Sequence, residues 1–145
     1  MRNTILAALA LISTASLTAP LSVKAENPVN VRRLLQTKEC YGCDLKGVNL
    51  KGAHLIGVDL RNANLKGANL EGANLEGADL TGANLESANL STAFVNSATL
   101  DRANLKNANL SEANLYSTNV NGATLIGVNL TGADIFNTNI SVGSD

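Results

Sequence analysis

Two cysteines three residues apart, Cys40 and Cys43, are the side chains of this 145-residue sequence best suited to chemistry. A pair with this spacing can cycle between dithiol and disulfide, contribute half of a metal site, or close a local staple. Zinc would need two further ligands, and His54 is the only histidine, so no metal site is expected. His54 is also the one residue suited to general-base work near neutral pH, provided that a cleft holds it against a nucleophile. Asp44, Asp59, Asp79 and Asp134 are the acids that a paired-carboxylate mechanism would draw on. Their separations are all multiples of five, so their placement has to be judged against the elements that carry them.

Those elements repeat every five residues. From Cys43 to Val142 the chain runs through twenty repeats with no insertion or slip. The central position holds Leu in sixteen repeats, from Leu45 to Leu130, and Val95, Val120, Ile135 or Ile140 in the other four. Two residues earlier stands Ala in fourteen repeats, otherwise Cys43, Val48, Val58, Val128, Thr118 or Thr138. Between them lies Asn or Asp in sixteen of twenty, and eleven of the twelve glycines fall two residues after the centre. Neither the 3.6-residue period of an amphipathic helix nor the two-residue period of a half-buried strand fits this pattern. A short extended piece followed by a turn fits it, with Gly where the turn needs positive φ and Asn, Asp or Ser supporting local turns. Strict internal repetition of this kind is the mark of a solenoid, in which large Leu and small Ala interleave inside a narrow coil.

The consensus A-(N/D)-L-x-G, as in Ala68-Asn69-Leu70-Glu71-Gly72 and Ala78-Asp79-Leu80-Thr81-Gly82, resembles that of the pentapeptide-repeat family. The resemblance implies an all-β fold, a right-handed quadrilateral parallel β-helix with four repeats per coil and the central and small residues inward. Twenty repeats then give about five coils, a rod of only about 24 Å at the usual strand spacing of about 4.8 Å. Four repeats per coil place residues twenty apart in register. Tyr116-Ser117-Thr118-Asn119-Val120 and Phe136-Asn137-Thr138-Asn139-Ile140, two deviant repeats, match position by position at that distance. Lys46, Lys66 and Lys106 also fall in one such column, which Glu86 interrupts.

This register assigns most polar residues to structure. His54 takes the outward position usually held by Asn or Asp on a rod without a cleft, and the four aspartates share that phase as turn residues. The glycines recur with the turns and do not link a strand to a helix as a phosphate loop requires. No enzyme activity and no cofactor are expected. Members of the family that mimic DNA need a long, strongly acidic face. Here the lysine column tilts one face basic and the rod is short, so no nucleic-acid role is expected; interleaved basic and aromatic residues for direct binding are lacking as well.

The flanks give the remaining domain plan. Residues 1–25 read as a signal peptide, with Arg2, an apolar stretch from Ile5 to Ile12 and a Val23-Lys24-Ala25 ending. The apolar run falls short of the roughly 20 residues that a membrane span needs, so no membrane association is expected after cleavage. Without Arg2 and Lys24, nine of the eleven basic residues face twelve acids, a net charge of −3. Residues 26–42 read as a capping helix and a Cys-containing opening: Asn27 and Pro28 suit a helix start, and Val31, Leu34 and Leu35 share one face. The repeats follow over 43–142, with 143–145 as a tail. The stretch LLQTKECYGCDLKGVNL resembles the opening of the helix in exported family members of photosynthetic bacteria, which implies the periplasm or the thylakoid lumen. Cys40 and Cys43 run in phase with the repeats, so both sulfurs point inward across a corner; a disulfide staple, two buried thiols and a redox couple are all open.

One side of the rod departs from the Asn, Ser and Gly surface. On the register of twenty, Phe94, Tyr116 and Phe136 share a side with Ile56 and His54. This strip is either a stabilising aromatic ladder or a docking patch for a protein partner. The chain is expected to be a non-enzymatic exported scaffold or protein-binding module, with a thiol-redox protein using Cys40 and Cys43 as the alternative. As to self-association, a monomer or an end-to-end homodimer through the C-terminal coil, with Ile135 and Ile140 at the contact, is expected.

Overall fold

The computed structural model of the protein describes residues 27–140. The signal peptide read over residues 1–25 and the tail lie outside the described residues. The described residues open with one helix, α1 (Pro28–Thr37), and then enter the repeats. Asn27 caps α1 by accepting the Asn30 N–H at 3.2 Å, with Pro28 in the first turn, where its missing N–H costs nothing. At the other end Lys38 adopts a left-handed conformation and its N–H returns to the Leu34 carbonyl at 3.0 Å, which stops the helix. Leu34 is fully buried and Val31 packs beside it against the core of the rod.

Each repeat contributes one short bridging segment and one turn. The bridges are parallel and always join residues twenty apart, running from Glu39↔Asp59 to Asn114↔Asp134. Four repeats therefore complete one coil. The N–H of each central residue from Leu45 to Leu115 donates to the carbonyl nineteen residues on, as from Leu85 to Asn104 at 2.7 Å, and the next amide back closes the ladder, as from Asn104 to Ala83 at 2.9 Å. Between bridges the chain turns, as where the Ala53 N–H meets the Leu50 carbonyl at 3.0 Å with Gly52 at φ +65°. Positive φ at the third residue is the mark of a type II turn. Glycine has a second advantage at Gly82 and Gly127: a Cβ there would displace the amide side chain of Asn62 or Asn107, one coil earlier.

The core is a single column of buried side chains. Central leucines from Leu45 to Leu115 and the alanines from Ala63 to Ala113 are almost wholly inaccessible, and they form one continuous cluster with Leu34, Cys40 and Cys43. Leu125, Leu130, Ile135 and Ile140 in the last coil pack against it but are only half-buried. Thr118 replaces Ala in the core without leaving a polar orphan, because its hydroxyl donates to the Val95 carbonyl at 2.6 Å.

The Asn and Asp residues between small and central positions have a double task. Their Oδ1 atoms accept the N–H two residues on, as Asn69 does from Glu71 at 3.1 Å, which braces the turn. The asparagine Nδ2 atoms reach the corresponding residue one coil away: Asn129 donates to Asn109 at 3.1 Å and Asn109 to Asn89 at 3.2 Å. Local bracing and stacking together account for the amide preference at this phase.

Candidate functional site

Cys40 and Cys43 occupy the first corner, where α1 meets the coil. The turn Cys40-Tyr41-Gly42-Cys43 is closed by the Cys43 N–H on the Cys40 carbonyl at 3.1 Å, and the two sulfurs are joined in a disulfide with the Cα atoms 5.2 Å apart. That separation lies within the usual range for a disulfide. Cys40 is fully buried and Cys43 is 4% exposed, so an attacking thiolate has no path to either sulfur while the corner is closed. Asn30 secures the helix over this corner by donating its Nδ2 to the Asp44 carbonyl at 3.1 Å.

The aromatic strip is built by two adjacent columns. His54, Asn74, Phe94, Asn114 and Asp134 form one through successive bridges. Two residues further along each segment stand Ile56, Glu76, Asn96, Tyr116 and Phe136. Tyr116 and Phe136 stack with ring centroids 5.8 Å apart and planes within 13°. Both stay exposed, as do Ile56 and Phe94. The strip is therefore a close aromatic pair plus two outlying apolar side chains, since Glu76 and Asn96 separate Ile56 from Tyr116 and Phe94 lies in the neighbouring column. His54 is exposed and bridges Asn74, with no acid or nucleophile bonded to it among the described residues.

A second cluster escaped the sequence reading. The Arg61 guanidinium donates twice to the Asp59 carboxylate, at 2.9 and 2.7 Å, and lies 3.8 Å from Asp79 and 5.6 Å from the centre of the Tyr41 ring. The hydrogen bonds from Arg61 hold the Asp59 carboxyl below the ordinary carboxylate range, and Asp59 in turn raises the Arg61 pKa. The clue was in the spacing: Tyr41 and Arg61, like Asp59 and Asp79, are twenty apart. Fork geometry, exposed position and cation–π contact make this a surface clamp on the first two coils. The lysine column is partly neutralised in the same way, Lys66 pairing with Glu86 at 3.1 Å, and Lys51 pairs with Glu71 at 3.0 Å.

Among the described residues no group of His, Cys, Asp and Glu is arranged to hold a metal ion, and no helix is long and apolar enough to cross a membrane. The arrangement offers a rigid rod, a closed corner and one aromatic side.

Comparisons with known proteins place this architecture. Eight copies of the pentapeptide-repeat family model match, over residues 43–82, 59–94, 78–115 and 103–141. Among solved structures, the chain is similar to a pentapeptide repeat protein from the cyanobacterium Cyanothece, with 34% identity over 75% of this chain and 95% of that one and a TM-score of 0.50. It is also similar to one from the Arabidopsis thaliana thylakoid lumen, with 29% identity over 70% of each chain and a TM-score of 0.48. A third, from a Nostoc strain, has 30% identity over 72% of this chain and 95% of that one, with a TM-score of 0.41. No curated protein matches the chain. With family repeats matched over 43–141 and parallel bridges between residues twenty apart, the chain belongs to the pentapeptide-repeat family of right-handed β-helices, whose members are generally non-enzymatic.

Proposed function

We propose that this protein is an exported, non-enzymatic scaffold that offers its aromatic side to a protein partner. One observation carries the reading: Ile56, Phe94, Tyr116 and Phe136, four of the eight exposed large apolar side chains among the described residues, share one of the four sides of the rod. Aromatic residues that remain exposed on a rigid polar surface are favoured anchors for association, because their area is buried at small cost in side-chain entropy. The twenty repeats form five coils in this reading, and α1 is the lid that covers the first with Leu34 and Val31. Export rests on the reading of residues 1–25 as a signal peptide and is supported by the disulfide, which suits an oxidising compartment such as the periplasm or the thylakoid lumen. Burial of both sulfurs favours a staple over the thiol-redox alternative.

Affinity capture from the exported fraction tests the docking side, with a Tyr116→Ser, Phe136→Ser variant as control. The variant is expected to lose the captured partner while its melting temperature stays nearly unchanged, since a cross-strand aromatic pair contributes only about 0.2 to 1 kcal/mol. Lower melting with capture intact would reduce the strip to a stabilising ladder and refute docking.

A further inference from the structure

A feature of the last coil points to a second kind of ligand. On the side that carries Asp59, Asp79, Thr99 and Asn119, each residue bridges the next, and the column of bridges ends at Asn119. The regular ladder would bring the Val120 N–H to the Asn139 backbone carbonyl, as Leu100 reaches that of Asn119 at 2.7 Å. Instead the Val120 N–H goes to the side-chain oxygen of Asn139 at 3.0 Å, and the Asn139 Nδ2 goes to the Asn121 side chain at 2.6 Å. An amide side chain has taken the place of the backbone, and the two coils part here.

The parting leaves a shallow groove of about 410 Å³, lined by Ser117, Thr118, Asn119, Asn121, Asn137, Thr138 and Asn139. Among the described residues, none of the lining side chains is charged. Three of their polar atoms, Asn119 Nδ2, Asn121 Nδ2 and Asn137 Oδ1, make no hydrogen bond among the described residues, whereas the Asn137 Nδ2 is held by Ser117 Oγ at 2.7 Å. Two donors and one acceptor are thus available, and ladder bonds hold the backbone of the two donor residues, the Asn119 N–H to the Ala98 carbonyl at 3.0 Å and the Arg102 N–H to the Asn121 carbonyl at 2.8 Å. Tyr116 and Phe136 immediately precede two lining residues, and Phe136 is 69% exposed although its ring stacks on Tyr116.

From this we infer that the groove binds a neutral carbohydrate, its hydroxyls held by Asn119, Asn121 and Asn137 and one ring face set against the Tyr116 and Phe136 pair. An uncharged lining gives no counter-charge to an anion or a metal cation, and an amide-rich one strands its polar groups under an apolar ligand. A sugar meets both conditions: it has neutral donors and acceptors around its edge and polarised C–H groups on its face, which the negative face of an aromatic ring attracts. The inference shares Tyr116 and Phe136 with the docking reading and is told apart from it by its polar contacts, which come from residues that the partner test leaves unchanged.

Amide NMR shifts of the purified protein, titrated separately with cellotriose, maltotriose and chitotriose, test it. At least one trisaccharide is expected to move the signals of Ser117, Asn119, Asn121, Asn137 and Asn139 saturably and leave the signals of the first two coils in place. Asn121→Ala is expected to weaken that binding about tenfold, the loss of one well-made hydrogen bond. Phe136→Ala, which keeps the backbone carbonyl that accepts the Ser117 N–H at 3.1 Å, is expected to weaken it as well. Absence of saturable shifts with all three sugars, or equal binding by both variants, would overturn the assignment.

Discussion

Leu85→Ala is expected to destabilise the protein by about 3 kcal/mol, whereas Glu86→Ala, one residue away, costs no more than about 0.5 kcal/mol. The contrast follows from position within the repeat. Leu85 is fully buried, and its backbone is held on both flanks, by its own N–H on the Asn104 carbonyl and by Asn84 on the Ala63 carbonyl. A cavity left by its truncation cannot collapse without breaking these bonds, so the cost includes both lost transfer energy and an unfilled void. Glu86 stands outside and pairs with Lys66 at 3.1 Å, a surface ion pair that water and salt screen. Urea unfolding of the two variants measures the difference. Equal costs would mean that Leu85 does not face the core.

The second large effect is expected at the first corner. Replacing both Cys40 and Cys43 with alanine should lower stability by about 2 kcal/mol, the figure expected from chain entropy for so short a loop. The loss should be local. The disulfide joins the segment beneath α1 to the first coil, and both sulfurs belong to the core cluster along with Leu34. Hydrogen exchange should therefore quicken in α1 and across residues 40–60, with the middle of the rod still protected. Mild reductant should leave the native disulfide intact, because its sulfurs are covered. Ready reduction of the folded protein, with no change in exchange around α1, would favour the thiol-redox alternative.

How far the sequence could be read depended on whether backbone or side chain decides a feature. The coil is a backbone property imposed by a strict period, so Leu85, Ala88 and the turn glycines disclose their surroundings from phase alone. The stack of Tyr116 on Phe136 follows once the register of twenty is known, since their columns coincide. Side-chain reach was harder to foresee. The Asn phase reads as an outward turn position, and Asn69 accepts from its own turn accordingly; the structure adds the reach of Asn109 to Asn89 and from Asn129, a consequence of a short amide able to bond in two directions. The Tyr41 and Arg61 contact was concealed in the same way, because a long guanidinium spans a coil to an aromatic ring that consensus reading treats as a turn residue.

Two features lay beyond any phase rule. Thr92, Arg102 and Glu112 hold φ near +57° where glycine would be easier, kept there by ladder bonds on each side of the turn. The exchange of backbone for side chain at Asn139 is the other. Asn139 carries a consensus amide, and its different role arises from the separation of the coil beneath it.

Every statement about a side of the rod rests on residues twenty apart being neighbours, and engineered cysteines test this most directly. Parallel segments in adjacent coils lie about 4.8 Å apart, inside the range of Cα separations that a disulfide spans. Lys66→Cys with Glu86→Cys, twenty apart, should form a second disulfide under air oxidation, detected by mass spectrometry as the loss of two hydrogens. Lys66→Cys with Ser91→Cys, five residues further, should keep both thiols. Linkage of the second pair and not the first would contradict the four-repeat coil and every column built on it.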